Sequence, residues 1–263
     1  MKSLATLARA ALCASALLPF VAAHAVTYTG FASADNFDPF NRLQDVDNGT
    51  TAAPASYGVS VDGNVATSTT DSVHGGTAYS YASSAGAYST QAGFVIGGVA
   101  SSSASVNFRV NVLGPDVPGT IPVHIIASGY VNGAGSTQAS ASFVVDPQTG
   151  ASLLVGGTSL TSPAGNTFLF DQTIGIRPNA FFDVSLYTNT LSGGSGSPAG
   201  WSEAFVDPTF TIDDPAFASL YHFEGIPGIT ASVPEPTTGV LATLGLGLVG
   251  AASRRRQARR RLA

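Results

Sequence analysis

The chain has 263 residues, a formal net charge of −5, only 10% charged residues, one cysteine and one methionine. Between residues 26 and 232 three arginines (Arg42, Arg109 and Arg177), no lysine and fifteen acidic residues leave the segment at −12. That length suits one domain or two small ones, and the charge excludes nucleic acid as a partner, because phosphate binding needs clustered Lys and Arg.

The first 25 residues read as a secretory signal. Lys2 and Arg9 make a positive start, residues 10–22 are apolar, and Ala23-His24-Ala25 is a small-x-small cleavage site. This predicts a signal helix handled by the Sec machinery. Cys13 is preceded by Leu12 and stands mid-way through the apolar run, which does not fit a lipoprotein signal. Cleavage after Ala25 removes the only cysteine, so the exported part holds no disulfide and relies on its core and backbone pairing.

The exported segment is rich in Ser, Thr, Gly, Ala and Val, with little that favours helix. Val26 to Phe31 reads as a first strand. Asp35 to Asn48 is acidic and is expected as a loop. Ser56–Val61 and Val65–Thr70 flank Asp62-Gly63-Asn64, a hairpin signal. Tyr, Ser and Ala alternate over residues 78–90. Val106, Phe108, Val110 and Val112 alternate with polar residues until Pro115 and Pro118 end the run. Further strands are expected at 121–133, 138–145, 153–155, 168–174, 180–190 and 201–212, with an exposed loop at 192–200. Short strands at regular spacing, no long amphipathic helix and no internal repeat predict an all-β, antiparallel, jelly-roll-like sandwich over residues 26–226.

Candidate chemistry is sparse. Asp35, Asp38, Asp45 and Asp47 offer hard oxygen ligands that could hold calcium, although they lack the EF-hand order and acidic loops are usually only solvated. No other cofactor is expected. His74, His124 and His222 lack zinc spacing. His124 alternates with Val123 and Ile125, so it is expected on the polar face of its strand, solvated. Ser195 lies in a Gly/Ser loop without the strand-turn-helix context of a nucleophile. Glu203 and Glu224 show no spacing of paired glycosidase carboxylates. These observations predict a protein that is not an enzyme. Tyr79, Tyr81 and Tyr88 offer a glycan-stacking platform, but tyrosine in a sandwich more often serves core or cross-strand packing, and that reading is preferred.

The C-terminus is the most specific part. Val233-Pro234-Glu235-Pro236 is a rigid motif in a linker, residues 227–237. Residues 239–252 carry no charged side chain, and Arg254, Arg255, Arg256, Arg259, Arg260 and Arg261 follow. This predicts a single transmembrane helix over residues 238–253 and a basic cytoplasmic tail at 254–263, the arginines acting as the membrane stop. Fourteen helical residues reach about 21 Å against a hydrocarbon core of about 30 Å, so the span is marginal and suits a temporary anchor.

The order of these parts resembles the PEP-CTERM sorting signal of Gram-negative bacteria. The resemblance covers about the last thirty residues. It implies an exosortase substrate, anchored in the inner membrane as a precursor and then passed to the periplasm, cell surface or exterior. It also implies association with exopolysaccharide and biofilm. The expectation is therefore an exported, non-enzymatic surface or matrix protein, with a carbohydrate- or calcium-binding sandwich module as the alternative.

Overall fold

A computed structural model describes residues 25–36, 43–85, 88–89, 95–147, 154–160, 165–194 and 197–228. The predicted signal helix, the sorting motif, the transmembrane segment and the basic tail lie outside the described residues. Among the described residues no helix is long and apolar enough to cross a membrane.

The first sheet contains β1 (Thr27–Asn36), β2 (Gln44–Thr51), β8 (Gly98–Leu113), β10 (Thr137–Asp146), β11 (Leu154–Leu160) and β13 (Phe181–Gly193), in the order β11-β10-β13-β8-β1-β2. A short β15 (His222–Glu224) adds to the end of β8. The second contains β3 (Ser56–Val61), β4 (Asn64–Asp71), β5 (Thr77–Ser84), β9 (Ile121–Ala134), β12 (Asn166–Ile176) and β14 (Gly200–Thr211), in the order β12-β9-β14-β5-β4-β3. All pairs are antiparallel. The two-residue strands β6 (Tyr88–Ser89) and β7 (Val95–Ile96) form a separate ribbon. The only α-helix among the described residues, α1 (Pro215–Ala218), starts with Pro215 in its first turn and the Asp214 carboxylate accepting from the Ala216 N–H.

The two sheets pack face to face as a sandwich. β8 shows the alternation expected from its sequence over sixteen residues, buried at every second position. The β3–β4 hairpin closes through Asp62 and Gly63, with φ of 49° and 79°. Positive φ at both central residues makes a turn whose twist matches the strands, and this is why Asp-Gly stands there.

The core is uneven along the strands. At one end Ile121, Val123, Ile125, Phe143, Ile176, Phe182 and Leu186 are buried together, with Phe143 and Phe170 rings 5.3 Å apart. At the other end the sheets meet through Ala32, Ala34, Ala66, Ala82 and Ala100 with buried Ser68, Ser80, Ser102 and Ser202.

Two expectations are corrected. The acidic stretch is not one loop: Asp35 closes β1, and Asp45 and Asp47 lie on β2. The first sheet supplies hydrogen bonds along β1, and this pairing overrides the weak strand preference of a polar segment. β2 is an edge strand, where charged side chains block further pairing. The loop expected from residue 192 begins later, since Ser192 is fully buried in β13 and its hydroxyl shares a bond with that of Ser84.

Candidate functional site

Period-two side-chain alternation settles which residues of a strand share a face, and burial settles which face is inside. On β5 the usual assignment is inverted. Ala78, Ser80, Ala82 and Ser84 point into the sandwich, whereas Tyr79 and Tyr81 point out and stay half-buried. β14 repeats the inversion: Ser202 and Ala204 are inside, Trp201 and Phe205 outside. On β9 Tyr130 points out beside the inward Val131.

The register brings these side chains together on the outer face of the second sheet. Tyr79 pairs with Phe205, which pairs with Tyr130. Tyr81 pairs with Glu203, which pairs with Asn132. Trp201 stands one step further along β14. The Tyr130 and Phe205 rings are tilted, with centroids 5.6 Å apart. The Tyr79 hydroxyl donates to Glu203 Oε2 at 3.3 Å, and Asn132 Nδ2 donates to Oε1 at 3.5 Å. Burial, and then the adjacent Glu203 charge, push the Tyr79 and Tyr130 hydroxyls above their ordinary values, so both remain protonated donors. Five aromatic rings thus surround one carboxylate and one carboxamide.

A second group lies on the same face near the other end of β9. His124 Nε2 is 2.7 Å from Asp171 Oδ1, and its Nδ1 is 2.5 Å from Asp213 Oδ2. Only the imidazolium has a proton on both nitrogens, so this geometry fits the charged ring. The hydrogen bond from His124 to Asp171, with a further contribution from Asp213, raises the histidine above its ordinary value. The Thr211 hydroxyl and then His124 lower Asp213. The expectation of a solvated histidine is corrected: His124 does project outward, but it clasps β12 to the residues after β14. Asp171 and Asp213 are far from it in sequence, and only the strand register brings them near.

The outer face of the first sheet differs. Ser101, Ser103, Ser105 and Asn107 line it on β8. Arg109 makes a two-pronged bond to Asp183, at 2.7 and 3.0 Å, and its guanidinium lies 3.7 Å from the centre of the Phe181 ring. Beside this pair is a shallow hollow of about 190 Å³ lined by Thr27, Asn107 and Ser185 among others.

The structure brings the calcium candidates only partly together. Asp45 pairs with Ala34 and Asp47 with Ala32, so both share a face, whereas Asp35 pairs with Gln44, is set on the opposite face and is buried. Asp47 accepts from the Gly58 N–H at 3.0 Å, and Asp45 from the Val46 N–H at 2.9 Å. Asp38 lies outside the described residues. Among the described residues no three His, Cys, Asp or Glu side chains are grouped to hold a metal. Glu203 and Glu224 lie on different sheets, and His222 is on β15. Tyr79 and Tyr81 do pack across strands, as expected, but outside the core. Tyr88 belongs to the β6–β7 ribbon. Trp201, Phe205 and Tyr130 were not singled out in the sequence. Their signal is the same alternation of ring and small residue seen on β5.

Residues 232–256 match the family model of the PEP-CTERM protein-sorting motif. The chain is therefore a PEP-CTERM sorting-domain protein at its C-terminus, and the match leaves the β-domain unassigned. No curated protein matches the chain. Among solved structures, TmCBM61 in complex with β-1,4-galactotriose is similar at 8% identity over 52% of this chain and 71% of that one, with a TM-score of 0.23. A structure described by the promiscuous specificity of carbohydrate-binding modules from the β-sandwich superfamily is similar at 11% identity over 70% and 85%, TM-score 0.20. The enzymatically active domain of tailspike protein 4 of bacteriophage CBA120 is similar at 13% identity over 60% and 19%, TM-score 0.22. Likeness at this level carries no argument about the β-domain, whose reading rests on its own residues.

Proposed function

We propose that this is an exported, non-enzymatic protein of the cell surface or extracellular matrix whose second sheet binds glycan on its outer face. The sorting motif supports the first half, since a PEP-CTERM signal implies export and a membrane-anchored precursor. Exosortase is the processing partner, and exopolysaccharide is the glycan within reach.

The observation that carries the second half is the inversion on β5 and β14. Burying a large apolar side chain contributes about 1.5–3 kcal/mol. Here Tyr79, Tyr81, Trp201 and Phe205 forgo much of that while alanine and serine occupy the interior beneath them. Folding alone favours the opposite arrangement. Ring faces beside an amide and a carboxylate suit a sugar, which offers apolar C–H faces and hydroxyls together. The strongly acidic segment with few cations argues against an anionic polymer.

Affinity electrophoresis through gels with and without soluble polysaccharides tests this reading. The wild-type chain should be retarded by at least one neutral or basic polysaccharide, and Tyr81→Ala should migrate as in the empty gel. Equal retardation of the variant would contradict it.

A further inference from the structure

The centre of the aromatic patch has a charge that its neighbours do not match. Among the described residues Glu203 receives only the Tyr79 hydroxyl and the Asn132 amide, both neutral and both at long range. Among the described residues, the cations found in ion pairs are Arg109, held by Asp183, and His124, held by Asp171 and Asp213. No lysine occurs between residues 26 and 232.

We propose that the patch takes glycans bearing free, protonated amines, with Glu203 as their counter-charge; this rests on the glycan-binding reading above. A neutral sugar laid over Glu203 would strip water from a carboxylate and return only hydroxyl hydrogen bonds. Desolvating an unpaired charge is costly. A sugar ammonium restores the lost interaction, and a charge-assisted bond is about twice as strong as a neutral one. The rings add to this, because the faces of Tyr, Phe and Trp attract a cation within about 6 Å of the ring centre. Tyr81 pairs directly with Glu203, while Tyr79, Tyr130, Trp201 and Phe205 stand at neighbouring positions of the same face. An amino sugar keeps the C–H face that stacks and adds the charge that the centre requires. N-acetylation removes that charge and leaves the sugar ring as it was.

The test compares a β-1,4-linked glucosamine trimer with its N-acetylated counterpart. Titration calorimetry would use the full chain in a polyoxyethylene detergent at about pH 5, above the ordinary carboxylate range and acidic enough to protonate amines that the sugar's oxygens make less basic than an alkyl amine. The free-amine trimer is expected to bind about tenfold tighter. Glu203→Gln should abolish that preference, bringing the two trimers to one affinity. Asp116→Asn, which removes one exposed charge on the loop after β8, should leave the preference unchanged. Equal affinity for the two trimers would overturn the inference while the glycan reading stands, and this comparison does not depend on any variant folding. Equal loss in both variants would also overturn it, since the attraction would then be the diffuse acidic field. No binding of either trimer, with retardation in neutral polysaccharide gels, would overturn it too. Absence of binding and of retardation would remove both readings.

Discussion

The outer face of the first sheet presents Ser101, Ser103, Ser105 and Asn107 on β8, with Asp183, Ser185 and Asn189 on β13. That of the second presents Tyr79, Tyr81, Tyr130, Trp201 and Phe205 around Glu203. The two outward aromatics of β13 stand singly, Phe181 beneath the Arg109 guanidinium and Tyr187 accepting from Asn189. Both faces belong to one sandwich of one composition. The hydroxyl face is what solubility favours. On the aromatic face cross-strand ring packing contributes to the fold, and the half-buried rings around Glu203 are what the proposed glycan site uses.

The comparison is broken most forcefully by exchanging core for face. Phe143→Ala removes a fully buried ring of the aromatic end and should cost about 3–5 kcal/mol. Phe205→Ala removes an outer ring packed mainly on Tyr130 and should cost about 1 kcal/mol. Urea midpoints of the two variants decide this. Comparable losses would mean that the outer rings are a second core.

Tyr81→Ala sharpens the contrast. Its melting temperature should stay close to wild type, while glycan affinity falls about tenfold or more. The matching change on the first sheet, Ser105→Ala, should move neither quantity.

The sandwich itself could be read from the chain, but its polarity could not. The Asp62-Gly63 turn, the alternation along β8 and the sorting tail all stand out locally. A period of two says only that Tyr79 and Tyr81 share a face, and a one-residue shift of register exchanges inside for outside. Hydrophobicity points the wrong way at β5, because it assigns the rings to the core. β2 was hidden for a related reason: Gln44, Asp45, Asp47 and Asn48 form a strand only because β1 pairs with them. The His124 clasp depends on three strands meeting and has no local signature.

The clasp gives a smaller, pH-dependent effect. The folded-state value of His124 is raised, so its stabilisation is complete below the ordinary histidine value of about 6.5 and disappears as pH rises through the folded value. Asp213 is lowered below its ordinary 3.8; its contribution is present above that value and is lost as pH falls through the folded one. The difference in melting temperature between wild type and His124→Gln should be largest around pH 5 and should shrink toward alkaline pH. A difference that grows with pH would contradict the charged clasp.

The smallest effect concerns the acidic edge. Asp45 and Asp47 accept backbone N–H groups, and Asp35 faces the other way. Calcium, magnesium and sodium at matched ionic strength should therefore shift melting alike. A calcium-specific gain removed by Asp45→Asn would assign an ion site there instead.

Trp201 is the only tryptophan of the chain and lies within the aromatic face, so its fluorescence reports that face and no other. Titrating the protein with the polysaccharide that retards it should shift and saturate the Trp201 emission, with a midpoint equal to the affinity measured by calorimetry. Tyr81→Ala should displace that midpoint to higher concentration. Calorimetric binding with unchanged Trp201 emission would place the ligand elsewhere and contradict the assignment of the aromatic face.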